Sequence, residues 1–208
     1  MITKEEIEAK IANMYNPAGG PLIYQSIDVK DIHIVGRRGY KRLQLMGQES
    51  LEGKSVLDLG CSFGMFCFDA AARGAEYVLG VDNSSQHGGG NILEICRDLA
   101  EYGGFDVDFQ DLMINSDAFY EYIGDRHFDI LYCFAIIEHI PNISRFWEFV
   151  NERVEVMYFD SNICKGPDTI EPILRNNTTF ENIVYLGESA DTDPVRSYRV
   201  FYKCSGKK

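Results

Sequence analysis

Val56-Leu57-Asp58-Leu59-Gly60-Cys61-Ser62-Phe63-Gly64 is an apolar run that carries one acid and then turns on two glycines. The run Ser55–Leu59 predicts a buried strand, and the stretch Phe66–Arg73 after the turn predicts a helix. In open α/β sheets, ligands bind outside the carboxyl ends of strands that end in such turns. Gly60 and Gly64 let the backbone turn tightly or approach a ligand where a Cβ would obstruct it. Asp58 stands near the end of the strand, where a carboxylate can face a cationic group.

The same rhythm continues outward from this turn. Strands are predicted at Tyr77–Val81, Asp106–Phe109, Phe128–Phe134 and Val154–Asp160. Between them, helices are predicted at Ile92–Tyr102, Ser116–Tyr122 and Ser144–Glu152, with a further one at Ile170–Asn176. Two strands close the chain, Asn182–Leu186 and Tyr198–Cys204. Alternation of strand and helix implies a mostly parallel sheet covered on both faces. The last two strands are joined by a polar segment too short for a crossover helix, so they must run antiparallel. The fold class is therefore α/β: a Rossmann-like three-layer αβα sandwich with a seven-stranded, mostly parallel sheet and one antiparallel strand near its edge.

Two further acids fall at strand ends. Asp82 lies 24 positions after Asp58 and ends the second strand, followed by Asn83. A carboxylate there can accept from both hydroxyls of a ribose. Asp111 and Leu112 follow the third strand, where an acid can accept from an adenine amine and a leucine can pack on the ring. Asp58, Asp82 and Asp111 would together read an adenosine bearing a cationic amino-acid tail.

Upstream, Thr3 and Glu6 form a capping-box pattern ahead of Ile7, Ile11 and Met14 on one helical face. The segment 16–21 breaks that helix, 24–36 is mixed, and a second helix is predicted from about Arg37 to Met46. Lys30, Arg37, Arg38, Lys41 and Arg42 stand against one acid, Asp31, in a chain whose net charge is −12. That run reads either as a solvated helix face or as an anion-binding lip. The acidic total disfavours a nucleic-acid partner.

The remaining composition excludes other classes. At 208 residues, the chain can bury a core without disulfides or metal. No apolar run approaches the roughly 20 residues that span a bilayer, and MITKEEIEAK has no signal-peptide core. Six scattered cysteines without a CxxC pair fit a reduced compartment and no zinc site. A cytoplasmic location without membrane attachment is expected.

Taken together, VLDLGCSFG, Asp82, Asp111 and the segment FDILYCFAIIEHI resemble the class I S-adenosylmethionine-dependent methyltransferases. The family's D/E-x-G-x-G-x-G pattern stands here as Asp58-x-Gly60-x-Ser62-x-Gly64, with Ser62 in place of the middle glycine. The resemblance implies a methyl donor, S-adenosyl-L-methionine, held by Asp58, Gly60, Cys61, Ser62, Gly64, Asp82, Asn83, Asp111, Leu112 and Phe134. Residues 1–50 would be a lead-in capping the core and 51–208 the methyltransferase domain. Tyr24-Gln25-Ser26-Ile27 and Gly36-Arg37-Arg38 are similar to the lead-in of wobble-uridine tRNA and sugar methyltransferases, which implies that Tyr24, Gln25 and an arginine cap the donor. No Pro-Gly-Gly-like turn precedes the fifth strand, where Asn151-Glu152-Arg153 runs directly into Val154.

His139 and Glu138 are the candidate catalytic pair, just past the fourth strand, with His139 able to titrate near neutral pH as a general base. Alternatively, the two only brace the loops. Asp160 ends the fifth strand, where it could face substrate. His87-Gly88-Gly89-Gly90 is similar to an esterase oxyanion loop, but a loop leading into the helix Ile92–Tyr102 is the simpler reading. The expected activity is methyl transfer to a small-molecule acceptor, a sugar or other metabolite. The rivals are an RNA methyltransferase, which requires a continuous basic face from Lys30 to Arg42, and a non-catalytic donor-binding module. A nicotinamide oxidoreductase is disfavoured by the lack of G-x-G-x-x-G.

Overall fold

Ser55–Leu59 forms strand β3, an interior strand of a seven-stranded sheet, in the computed structural model, which describes residues 2–13, 25–36, 39–83, 91–161, 166–188 and 199–207. Ahead of it lie α1 (Lys4–Ala12), a hairpin of β1 (Ile27–Val29) and β2 (Ile32–Ile34), and α2 (Lys41–Met46). After it the chain alternates: α3 (Met65–Ala72), β4 (Tyr77–Asp82), α4 (Ile92–Gly103), β5 (Asp108–Asp111), α5 (Asp117–Ile123) and β6 (Phe128–Phe134). A 3-10 turn (Ile137–His139), α6 (Ile143–Arg153), β7 (Val154–Asp160), α7 (Pro167–Asn177), β8 (Phe180–Glu188) and β9 (Val200–Lys207) complete it.

The sheet order is β5-β4-β3-β6-β7-β9-β8. Ladders from β5 to β7 are parallel, and β9 runs antiparallel to both β7 and β8. The one antiparallel strand therefore sits one place in from the edge. From β3 the chain builds outward through β4 and β5, then returns to lay β6 and β7 on the other side. That reversal opens a crevice at the carboxyl ends of β3 and β6.

Side chains along each central strand alternate between two apolar cores. Val56, Val78, Ile130, Tyr132 and Phe134 pack with residues of α1, α3, α4 and the hairpin. Leu57, Leu79, Leu131, Cys133 and Met157 pack with α5, α6 and α7. Two cores on opposite faces of one sheet make three layers. The expected core residues Phe146 and Trp147 are buried on α6. The Thr3–Glu6 capping box forms in both directions.

Several boundaries differ from the sequence reading. Strand β5 starts two residues later than expected, because its ladder begins where Asp108 meets Leu79, and it ends on Asp111. The segment read as mixed contains the β1–β2 hairpin, whose Ile27, Val29 and Ile32 are buried. Strand β8 extends beyond its predicted span at both ends, and β9 starts at Val200 and runs on to Lys207, since each pairs with the other along nearly its whole length.

Candidate functional site

The turn after β3 is built from left-handed backbone. Gly60 has φ +74°, Ser62 φ +48° and Gly64 φ +75°. Gly60 and Cys61 both donate their N–H to the Val81 carbonyl of the neighbouring strand, at 2.8 and 3.1 Å. A Cβ on Gly60 would lie 2.6 Å from Ile136 Cγ2, and one on Gly64 would lie 2.8 Å from Phe109 Cζ. Glycine is therefore required twice over, by conformation and by space. Ser62 adopts a conformation that L-residues avoid, at a cost of about 1–2 kcal/mol.

Asp82 locks the top of this turn. Its carboxylate accepts the Ser62 N–H and the Asn83 N–H, each at 2.7 Å, while its carbonyl accepts the Leu112 N–H at 2.9 Å. Asp82 and Asp111 are register partners on adjacent parallel strands, so both acids leave the same edge of the sheet side by side. Asp82 is buried and Asp111 exposed, with Leu112 half-buried beyond them.

Asp58 is placed differently from its two companions. It is 1% exposed and accepts the Cys67 thiol at 3.4 Å. Burial pushes its carboxyl up to about 7, against a smaller lowering by the Cys67 hydrogen bond. Cys61 lies alongside, its thiol pushed up to about 11 by burial, and Cys96 donates to the Ser62 carbonyl at 3.2 Å. These buried thiols brace the turn from beneath.

Across the crevice, β6 ends at Phe134 and the chain enters a loop through Ala135 in left-handed backbone, φ +60°. The Ala135 N–H donates to the Asp160 carbonyl at 2.9 Å, and Ile136 then abuts Gly60. Glu138 and His139 follow on the exposed 3-10 turn. Ser161 Oγ donates to Glu138 Oε1 at 3.0 Å, which ties the loop to the end of β7. Phe134 is buried against Phe66, Tyr132 and Phe201.

The family profile described as "Methyltransferase domain" matches residues 33–166. The chain belongs to that family. Among curated relatives, the methyltransferase domain is 29% identical over 151 residues to a ubiquinone biosynthesis O-methyltransferase of Coxiella burnetii (strain RSA 493 / Nine Mile phase I), covering 69% of this chain and 54% of that protein. It is 34% identical over 125 residues to the enzyme of the same description from Pasteurella multocida (strain Pm70), covering 56% and 48%. The chain thus spans about half the length of the curated relatives it matches. In fold it is similar to the N-terminal domain of EvdMO1 crystallised with SAH and D-fucose, with TM-score 0.68 and 12% identity over 100% of this chain and 98% of that one. It is also similar to WbdD, with TM-score 0.69 and 19% identity over 96% and 47%.

Several expectations for this methyltransferase domain need correction. Asp160, at a strand end where it could have faced substrate, is 0% exposed and forms an ion pair with Arg42 Nε at 2.7 Å. Arg199 Nη1 stands 3.7 Å from the other carboxylate oxygen. Arg42 is itself 3% exposed, so Lys30 to Arg42 cannot form one continuous basic face. Lys30 instead reaches the Tyr102 carbonyl at the far end of the hairpin. Tyr24, Arg37, Arg38, the loop His87–Gly90, Cys164 and Tyr198 lie outside the described residues. Gln25 is described and 5% exposed, and its Oε1 has no hydrogen-bond partner among the described residues. Sequence reasoning missed the Arg42–Asp160–Arg199 cluster because Arg42 and Asp160 are 118 positions apart. A local signal did exist, since Arg42 and Met46 share one helical face at i, i+4.

Proposed function

We propose that this domain transfers the methyl group of S-adenosylmethionine to a nucleophilic atom of a small-molecule acceptor, a sugar or another hydroxylated metabolite. The observation that carries this reading is the pair Asp82 and Asp111, in register beside a glycine turn at the switch point of the sheet. The donor set fits the group: a hydrogen-bonded carboxylate for a ribose diol, an exposed acid and a half-buried leucine for adenine, and a backbone turn for the amino-acid tail. Gln25 Oε1, an acceptor whose burial without a partner is costly, suits the ammonium of that tail. The donor supplies an electrophilic methyl group on a sulfonium.

The chain's own residues would bind and orient. Asp82 holds the ribose, Asp111 and Leu112 the adenine, and residues 60–64 the methionine part, with Asn83 and Phe134 flanking. Asp58 supports the turn from below. His139 takes the proton from the attacking group, and Glu138, held by Ser161, keeps the loop in place. Positioning for in-line attack then supplies most of the rate gain. A polar acceptor fits the loop that would meet it, where Glu138, His139 and Ser161 stand within a few positions of the β6 and β7 ends.

Calorimetry with S-adenosylhomocysteine tests the donor site. Wild-type protein should bind, and Asp82→Ala should weaken binding at least about tenfold, which is about 1.4 kcal/mol. No binding at millimolar ligand, with Asp82→Ala indistinguishable, sinks the donor assignment. Turnover with labelled donor on a metabolite extract then identifies the acceptor by mass spectrometry. His139→Ala should lower that turnover while leaving S-adenosylhomocysteine affinity within about twofold.

A further inference from the structure

Arg42 lies in the lead-in, yet its guanidinium is buried at the end of the central sheet. Its Nε donates to Asp160 Oδ2 at 2.7 Å, and its Cζ stands 5.5 Å from the centre of the Phe134 ring. Asp160 and Phe134 are register partners on β7 and β6. One side chain therefore grips both strands where they end. Helix α2, which presents Arg42, is seated on the β8–β9 ribbon: a Cβ on Gly187 would lie 3.3 Å from Leu45 Cδ2. Arg199 on the far side of Asp160 keeps that carboxylate between two cations.

The grip leads directly to the crevice. The carbonyl of Asp160 accepts the N–H of Ala135, the left-handed residue that launches the loop after β6. One residue on, Ile136 fills the space over Gly60. One residue beyond Asp160, Ser161 holds Glu138. Moving Asp160 would thus shift both anchors of the loop that faces the glycine turn.

We propose that Arg42 is a positioning residue for the methyl donor, acting through Asp160 and Phe134 to hold the loop Ala135–His139 against the turn at Gly60. This rests on the donor reading above. A buried Arg–carboxylate contact that also covers an aromatic ring is not reproduced by lysine, which lacks the planar fork. Lys retains the charge, however, and restores part of the interaction that an apolar residue removes entirely.

The test compares wild type, Arg42→Met, Arg42→Lys and a control, Arg73→Met, by S-adenosylhomocysteine calorimetry and amide hydrogen exchange. Each is measured at a temperature where circular dichroism shows it folded. Arg73 bonds Asp69 and the Glu49 carbonyl away from the crevice, so its loss reports general destabilisation alone. Arg42→Met should weaken binding about tenfold or more and speed exchange at Ala135. Arg42→Lys should recover part of both, and Arg73→Met should stay within about twofold of wild type. Unchanged affinity and unchanged Ala135 exchange in folded Arg42→Met overturn the proposal, as does an equal loss of affinity in Arg73→Met. Where Arg42→Met does not fold, Arg42→Lys decides: wild-type affinity and exchange overturn the proposal. A wild type that binds no S-adenosylhomocysteine instead sinks the donor reading, and this inference with it.

Discussion

At the scale of single residues, Asp58 is a motif acid that the fold buries, with the Cys67 thiol donating to it. Its carboxyl is buried beneath the turn, and burial lifts it from 3.8 to about 7. The folded protein therefore holds a proton that the unfolded chain releases between about pH 4 and pH 7. Stability from this group is full at low pH and is lost as pH rises through that window. Asp58→Asn removes the titration. Urea denaturation should find wild type better placed relative to Asp58→Asn at pH 5 than at pH 8, by at least about 1 kcal/mol. A gap that is constant or widens with pH contradicts the raised carboxyl.

At the scale of elements, the departures from expectation follow from pairing that no single segment contains. Strand β5 reaches Asp111 because Asp82 lies opposite it, and α6 passes into β7 at Arg153–Val154 with no intervening turn. Helix α7 carries an exposed Pro172 in its interior. Its ring removes the N–H that would bond the Asp168 carbonyl one turn earlier. Tertiary packing through buried Ile170 and Leu174 keeps the helix despite this. Pro172→Ala should raise stability by about 1 kcal/mol, since the restored bond and better propensity are partly offset by a freer unfolded chain. Chemical denaturation checks it, and a destabilised variant contradicts it. Affinity for S-adenosylhomocysteine should not change.

At the scale of the whole molecule, charge and the placement of Arg42 bear on the partner. The net charge is −12, and the basic run from Lys30 to Arg42 is broken by the burial of Arg42 against Asp160. Arg42 is then not available for a phosphate contact, and binding to RNA depends on such contacts. Mobility-shift measurements with bulk tRNA should show no retention at micromolar protein in about 150 mM salt, near the physiological range. Tight binding that falls steeply with salt would return an RNA acceptor to first place. No helix among the described residues is long and apolar enough to cross a membrane.

The sequence by itself determined the layered α/β architecture, since apolar periodicity and strand–helix alternation are local properties written along the chain. It also placed the glycine turn, Asp82, Asp111 and the segment Glu138–His139 in their order, because each sits at the end of a strand that its own neighbours predict. Only the tertiary structure decided which of these acids is buried, that Asp160 belongs to an ion cluster, and that Arg42 of α2 reaches the end of β7. Burial, pKa and ion pairing depend on what stands opposite across 118 positions of chain, and a linear pattern carries no record of that distance. The same holds for Ile136 over Gly60, a contact between two loops that the pairing of β6 with β3 brings together.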